Sequence, residues 1–211
     1  MGARDVSERG TSSRMRLAVL SGLLFFSGIG ALIFETLWLR LSGLAFGNSV
    51  WAAALILSSF MAGLALGNAL AASSKIRRWR PLHLYAVLEI LVALLGCTIV
   101  FGLPLIGVWL RPLWQMLWNF QPTLLALRFV VSFVILLLPT TAMGLTLPVL
   151  IEDPILRRSD FGRAISFLYG ANTLGAVAGA LVGEVWLIGA FGLRGTSVAA
   201  GLMSCAAATM G

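Results

Sequence analysis

Four ionisable residues, Glu35, Glu89, Arg128 and Glu184, stand within apolar stretches of the sequence. Removing a charge from water is unfavourable unless another group compensates it, so ionisable residues inside apolar segments are candidates for function. Each of these four is therefore a candidate either for contacting a ligand or for pairing with a residue of another helix. Arg40 is a fifth charge, close to the end of the same stretch as Glu35.

Glu35 and Arg40 are poorly spaced for an ion pair within one helix. Five residues set them about 140° apart around the axis, whereas favourable pairs are three or four residues apart. Arg40 is therefore expected to extend toward lipid headgroups. Arg128 has a similar expected depth on another helix, and we predict a Glu35–Arg128 ion pair. Three roles are open: fixing helix packing, meeting a cationic substrate such as a polyamine, and contacting lipid headgroups.

Three further polar residues have simpler interpretations. Glu184 is expected at the outer interface, where water solvates it. Glu89 lies about two turns from the start of its helix, so its carboxylate is expected to reach the basic loop of Arg77 and Arg80. Asn172 is expected to hydrogen-bond to a neighbouring helix, an interaction that contributes about 0.6–2 kcal/mol in membranes; contact with a ligand is the alternative.

Metal, disulfide and triad chemistry have little basis in this sequence. His83 is the single histidine, and Cys97 and Cys205 both lie in apolar runs without a metal-ligand spacing. Cysteines in such positions usually act as small buried hydrophobic residues. We therefore predict no metal site, no cofactor and no catalytic residue in this chain.

The composition that surrounds these residues is that of a membrane protein. The chain of 211 residues is 59% hydrophobic and 11% charged, about half the charged fraction of a soluble domain. Its mean hydropathy is +0.97 and its pI is about 11.0. The basic residues flank apolar runs, which is typical of membrane orientation signals and argues against nucleic-acid binding.

Six apolar segments are long enough to cross a bilayer as helices, so we predict an all-α integral membrane protein. A polar tail, residues 1–16, precedes a transmembrane domain, residues 17–211. Turn signals separate the segments at 46–49, 75–81, 152–160 and 191–195, and Pro139 and Pro148 are expected to kink the fourth. The predicted spans are 17–44, 50–73, 82–103, 123–148, 163–190 and 193–211.

The distribution of basic residues predicts that both termini face the cytoplasm. Arg40, Arg111, Arg128 and Arg194 fall at the outer ends of the spans, and the remaining 11 of the 15 Lys and Arg fall at the inner ends. Residues 104–122, rich in tryptophan, are expected to form a helix in the outer interface. The 11 inner residues are Arg4, Arg9, Arg14, Arg16, Lys75, Arg77, Arg78, Arg80, Arg157, Arg158 and Arg163.

Glycines recur every four residues in the second and fifth segments. This spacing places small residues on one helix face, where another helix can approach closely. The two segments hold equivalent positions if the chain consists of two three-helix repeats, the arrangement of half a major-facilitator transporter. The glycines are Gly63 and Gly67 in one segment, and Gly175, Gly179 and Gly183 in the other.

Several phrases of the sequence, in order, resemble one bacterial family. They are "FFSGIGALIFETLWLRLSGLAFGNS", "FMAGLALGNALA", "RPLHLYAVLEI", "LLLPTTAMGLTLPVL" and "LYGANTLGAVAGALV". The chain is similar to the membrane-embedded N-terminal region of fused major-facilitator/spermidine synthase-like proteins. In that family a soluble aminopropyltransferase-like domain follows, with a glycine-rich loop for decarboxylated S-adenosylmethionine, and no residues of this chain match that domain.

The resemblance implies a multi-pass module of the bacterial inner membrane that anchors or supplies polyamine-related chemistry. Two other interpretations remain. The chain could be a half-size transporter that works as an oligomer, or an accessory subunit of a larger membrane complex. The expected partners are thus the lipid bilayer, a cationic small molecule and a second copy or another membrane protein, and not nucleic acid.

Labelling of single cysteines tests the predicted orientation. In a Cys97→Ala, Cys205→Ala background, a membrane-impermeant maleimide is expected to label Gln115→Cys in intact cells, because residue 115 lies on the outer side. Ser12→Cys is expected to react only after the cells are permeabilised. Labelling of Ser12→Cys in intact cells would contradict the orientation.

Overall fold

The chain folds as a bundle of helices. In the computed structural model, residues 3–46, 50–73, 78–154 and 161–209 are described, and none of them lies in a β-strand. The all-α prediction is confirmed for these residues. The helices are α1 (Ala3–Phe46), α2 (Val50–Ala71), α3 (Pro81–Trp109), α4 (Arg111–Met116), α5 (Gln121–Ile151), α6 (Phe161–Val182) and α7 (Ile188–Thr209), and a π-helical segment, Gly183–Leu187, joins α6 to α7.

The outward faces of the long helices are apolar. Leu94, Val134 and Leu181 are about 60% exposed, although a soluble protein would cover most side chains of this kind. Helices with apolar side chains all round suit a lipid surrounding, in which every backbone polar group is bonded within its own helix. Five helical stretches are long and apolar enough to cross a membrane: Arg14–Gly43, Ala53–Ala71, Pro81–Leu105, Pro122–Ile151 and Phe161–Thr209.

The last of these stretches is interrupted at Gly192. A continuous helix over its 49 residues would be about 74 Å long, more than twice the hydrocarbon thickness of a bilayer. Gly192 has φ of 65° and ψ of −177°, a conformation that a side chain would strain. The break lies in the segment 191–195, where the sequence predicts a turn.

Contacts with α1 show that the chain reverses direction at this break. Successive glycines of α6 and the π segment contact successive turns of α1, so α1 and α6 run parallel. On α7, Ser204 and Ala200 lie beside Gly30 of α1, and Ser197 lies beside Cys97 of α3. Since Ser204 also lies beside Glu89 of α3, α7 runs antiparallel to α3. Helix α3 in turn runs parallel to α1, because Tyr85 contacts Leu23 and Gly96 contacts Phe34. The α1–α6 contacts are Phe25 with Gly175, Ile29 with Gly179 and Ile33 with Gly183.

A second parallel pair joins α2 to α5. The two helices touch through small residues, and Thr140 Oγ1 lies 3.4 Å from the carbonyl oxygen of Ser59. Three glycines lie in this contact, and a methyl group added at any of them would overlap atoms of the other helix. The contacts are Gly63 with Thr140, Gly67 with Thr141, and Gly144 with Leu64.

Helix α1 is the centre of the bundle and packs most extensively against α6 and α7. Its Phe34 and Trp38 are buried and stack with ring centroids 5.9 Å apart. Gly96 of α3 leaves the room that the Phe34 ring occupies. The core therefore combines aromatic side chains on α1 with small residues on the helices around it.

The structure corrects the predicted limits of two segments. Helix α3 continues through Pro104 to Trp109, so residues 104–109 belong to α3 and not to a separate helix. The predicted interfacial helix over 104–122 is reduced to the short α4, and α5 begins at Gln121. Helix α1 begins at Ala3, so most of the predicted polar tail is helical. Helix α5 runs through Pro139 and Pro148 without a break.

Parts of three predicted turns lie outside the described residues. They are residues 47–49, residues 74–77, which include Lys75 and Arg77, and residues 155–160, which include Arg157 and Arg158.

A matched pair of glycine substitutions on α6 tests the α1–α6 contact. Gly175→Ala places a methyl group against the carbonyl of Phe25, whereas a methyl group at Gly170 meets nothing within 4 Å. We expect Gly175→Ala to lower the free energy of unfolding by about 1–3 kcal/mol, because overpacking forces the helices apart. Gly170→Ala is expected to be neutral or slightly stabilising. Denaturant titration in mixed micelles measures both, and equal effects would contradict the contact.

Candidate functional site

The charged residues of the described chain include two ion pairs and one deeply buried acid. The ion pairs that the structure gives among the described residues join Arg16 to Asp153 and Arg40 to Glu184. Glu35 takes part in neither of them, so the predicted Glu35–Arg128 pair is not one of the ion pairs of the described chain. Glu35 and Arg128 are both half-buried.

Helix register accounts for the difference. The Arg16–Asp153 contact sets the start of α1 beside the end of α5. Measured from that end, Glu35 lies about 28 Å along α1, and Arg128 about 38 Å along α5. The axial offset is thus about 9 Å, and α1 and α5 contact each other only marginally. The length of an apolar segment gives only an approximate membrane depth for Glu35 and Arg128, and this depth is too coarse to predict a direct contact between them.

Arg40 and Glu184 form an ion pair that the sequence interpretation missed. The Arg40 guanidinium donates two hydrogen bonds to the Glu184 carboxylate, one of them from Nε to Oε2 at 3.2 Å. Their side chains are 46% and 48% exposed. Arg40 therefore pairs with a carboxylate instead of extending to lipid headgroups. Glu184 is exposed, and it projects from the π-helical segment.

The second ion pair, Arg16–Asp153, lies at the opposite end of the bundle. Arg16 Nη2 donates to Asp153 Oδ2 at 3.1 Å, and the Asp153 side chain is 4% exposed. The sequence offered no clear signal for it, since Asp153 falls in a polar segment and Arg16 in a basic tail. The pair joins α1 to the residues that follow α5, and its burial makes it the better protected of the two.

Glu89 is the most deeply buried charged residue among the described positions, with 1% of its surface exposed. The prediction that its carboxylate reaches the basic loop of Arg77 and Arg80 is wrong. Its helix face turns inward, where Ser27 of α1, Tyr85 of α3 and Ser204 of α7 surround the carboxylate. The distance from the helix start was therefore a poor guide, because it does not say which way a residue faces.

The oxygens around Glu89 are close together but poorly bonded. Neither carboxylate oxygen has a partner in hydrogen-bonding geometry within the described chain, and the same is true of Ser204 Oγ. The Tyr85 hydroxyl donates its single hydrogen to the carbonyl oxygen of Leu23 at 3.0 Å, so it cannot donate to Glu89. Buried polar atoms without partners are unusual and call for an explanation.

Asn172 is half-buried on α6, next to α1. The atom that a methyl group at Gly28 of α1 would meet most closely is the backbone carbonyl oxygen of Asn172. Its position therefore lies in the α1–α6 contact. Of the other residues considered from sequence, His83 is exposed, and Cys97 contacts the carbonyl oxygen of Ser197 at 3.3 Å.

The described residues include no group of three or more His, Cys, Asp or Glu that could hold a metal ion. The arrangement can bind a positive charge at two kinds of place. One is the half-buried carboxylate of Glu35. The other is the enclosed cluster of Glu89, Ser27, Tyr85 and Ser204, which we call the Glu89 cluster. Both lie within helices long and apolar enough to cross a membrane.

The fold is a helical bundle with helices long and apolar enough to cross a membrane, and one comparison finds a curated protein to which the chain is similar. No protein-family model matches the chain, and no solved structure matches it. A curated protein of Streptomyces coelicolor (strain ATCC BAA-471 / A3(2) / M145), Polyamine aminopropyltransferase 2, is 29% identical over 169 residues. The alignment covers 79% of this chain and 28% of that protein. The chain therefore spans a little over a quarter of the length of this relative.

Two carboxylate substitutions test the difference between the ion pairs. Asp153→Asn is expected to lower the free energy of unfolding by about 1–3 kcal/mol, because it leaves the Arg16 guanidinium without its buried partner. Glu184→Gln, the matched change in the exposed pair, is expected to have a much smaller effect that disappears in high salt. Thermal unfolding at low and high salt measures both. Equal losses of stability in the two variants would contradict the conclusion that Arg16–Asp153 is the better protected ion pair.

Proposed function

We propose that the chain is a six-span membrane module of a polyamine aminopropyltransferase-like protein. The observation that carries the proposal is the alignment of 169 residues with the Streptomyces protein, which covers most of this chain. The module anchors polyamine chemistry to the membrane or supplies the chemistry with its cationic substrate. In this proposal both termini face the cytoplasm of a bacterium and the module lies in the inner membrane, as the distribution of basic residues predicts.

The pairing of the helices supports two three-helix repeats, α1–α3 and α5–α7. If the two repeats are equivalent, α1 corresponds to α5, α2 to α6 and α3 to α7. The contact between α1 and α6 is the most extensive in the bundle. Its counterpart under this correspondence, the contact between α5 and α2, is nearly as extensive. In the same way the α1–α7 contact becomes α5–α3, and these two are also similar. Such symmetry is the pattern of half of a major-facilitator transporter.

The glycines follow the same symmetry. In each proposed repeat the middle helix carries the glycines, and it packs in parallel against the first helix of the other repeat. Gly63 and Gly67 of α2 thus meet α5, whereas Gly175 and Gly179 of α6 meet α1. The five apolar stretches give six spans if the break at Gly192 divides the last stretch into two.

A half-size transporter is the second candidate, and the buried acid favours it. A carboxylate enclosed by three helices is costly in a purely structural role, so such residues often mark an ion or substrate path. Six spans form only half of a major-facilitator pathway, so we propose that this version acts as an oligomer. It would move a cationic solute through a path that two copies complete.

Binding of radiolabelled putrescine and spermidine to the protein in nanodiscs tests the substrate-supply version. We expect saturable binding that Glu35→Gln weakens about tenfold or more, since a lost charge contact costs roughly 1.4 kcal/mol or more. Glu152→Gln, at the other end of the bundle, is the control and is expected to bind normally. Binding no greater than that of empty nanodiscs would contradict this version.

Uptake into liposomes separates the two candidates. Accumulation of labelled putrescine inside liposomes that contain the chain alone would favour the transporter. Saturable binding without uptake would favour the module. Binding that is indifferent to Glu35→Gln would argue instead for an accessory subunit.

A further inference from the structure

We propose that the Glu89 cluster is a binding site for a small monovalent cation of the sodium type. The inference is independent of the polyamine assignment, because it stands on the oxygens that three helices bring together. These oxygens come from Ser27 of α1, Tyr85 and Glu89 of α3, and Ser204 of α7.

The burial of the cluster is the first observation. Glu89 is 1% exposed, Ser204 and Tyr85 are 0% exposed, and Ser27 is 6% exposed. Glu89 lies about 12 Å along α3 from Pro81, within a candidate membrane span. Water and lipid headgroups are therefore excluded, and whatever compensates the carboxylate must lie inside the cluster.

The lack of hydrogen-bond partners is the second observation. Both carboxylate oxygens and Ser204 Oγ have none in the described chain. An isolated buried carboxylate is far too costly to persist by itself. The described residues place no Arg, Lys or His against it, so the chain supplies no counter-charge of its own.

The orientation of the Tyr85 hydroxyl favours a cation in the cluster over a purely hydrogen-bonded acid. Its hydrogen is committed to the carbonyl oxygen of Leu23, so its oxygen can offer only lone pairs toward the cluster. The Ser27 and Ser204 hydroxyls can either donate to the carboxylate or offer lone pairs to a cation, whereas the Tyr85 oxygen can only accept. Here the carboxylate faces oxygens whose lone pairs suit a hard cation.

Gly30 of α1 packs closely against Ser204 and Ala200 of α7. A methyl group at Gly30 would lie 2.9 Å from Ser204 Oγ and 3.1 Å from the carbonyl oxygen of Ala200. The missing side chain thus leaves a hydroxyl oxygen and a carbonyl oxygen facing α1, and both are ligands of hard cations. One carboxylate among neutral oxygens balances a single positive charge, which favours a monovalent ion over a divalent one.

Thermal unfolding of the whole chain in nanodiscs tests the site, with Na⁺ replaced by N-methyl-D-glucamine at constant ionic strength. We expect the unfolding temperature to rise with Na⁺, because a ligand that binds the folded state stabilises it by mass action. Glu89→Gln is expected to abolish this response. Glu184→Gln, which removes an exposed carboxylate, is expected to retain it.

A second variant covers the case in which Glu89→Gln does not fold. Ser204→Ala keeps the charge of Glu89 and removes one oxygen ligand. We expect about tenfold weaker Na⁺ binding, because the lost contact is comparable in energy to one hydrogen bond. Direct binding of radioactive Na⁺ to the unsubstituted protein provides the same measurement without any variant.

Other results would overturn the proposal. If stability follows pH and is indifferent to Na⁺, the occupant is a proton. If putrescine stabilises the protein through Glu89 and Na⁺ does not, the site holds an organic ammonium group. A Na⁺ response that survives in Glu89→Gln places the ion elsewhere. The polyamine-binding experiment above can fail without affecting any of these outcomes.

Discussion

Close contact between parallel helix backbones is the constraint on which this bundle depends. Lipid is as apolar as a leucine side chain, so burying apolar surface gives membrane helices little reason to associate. Association depends instead on dense van der Waals contact, which small residues permit. Gly175 and Gly179 allow α6 to reach the backbone of α1, and Gly63 and Gly67 allow α2 to reach α5. A methyl group at any of the four would meet backbone or side-chain atoms of the partner helix.

These contacts also fix the position of the ionisable groups. With α7 held against α1, Ser204 lies beside Gly30, and α3 closes the cluster with Tyr85 and Glu89. The exposed Arg40–Glu184 pair and the protected Arg16–Asp153 pair then join α1 to its neighbours at opposite ends. Glu89 is thus enclosed between helices that these ion pairs join at opposite ends.

The sequence predicts the helical, apolar character of this fold because that character is local. A run of about 20 apolar residues is visible without any knowledge of its neighbours, and Gly192 falls inside a predicted turn segment. The predicted interfacial helix failed because α3 continues beyond Pro104. A proline removes one hydrogen bond and does not always end a helix in a membrane.

The candidate site was harder to predict because it depends on relations between helices. Hydropathy gives the depth of Glu89 but not the direction of its face, so its enclosure by α1 and α7 could not be foreseen. Arg40–Glu184 and Arg16–Asp153 each join residues far apart in sequence. Their contact depends on helix register, which small residues set through packing. The ionisable residues could be chosen from sequence, but their partners could not.

Distances between spin labels test the parallel α1–α6 packing most directly. In a cysteine-free background, labels at Met15 with Ser166, and at Leu39 with Gly189, are expected to be close, because each pair lies at one end of adjacent helices about 8–10 Å apart. Labels at Met15 and Gly189 are expected to lie about 35 Å apart. A short Met15–Gly189 distance with long same-end distances would show antiparallel helices and contradict the account.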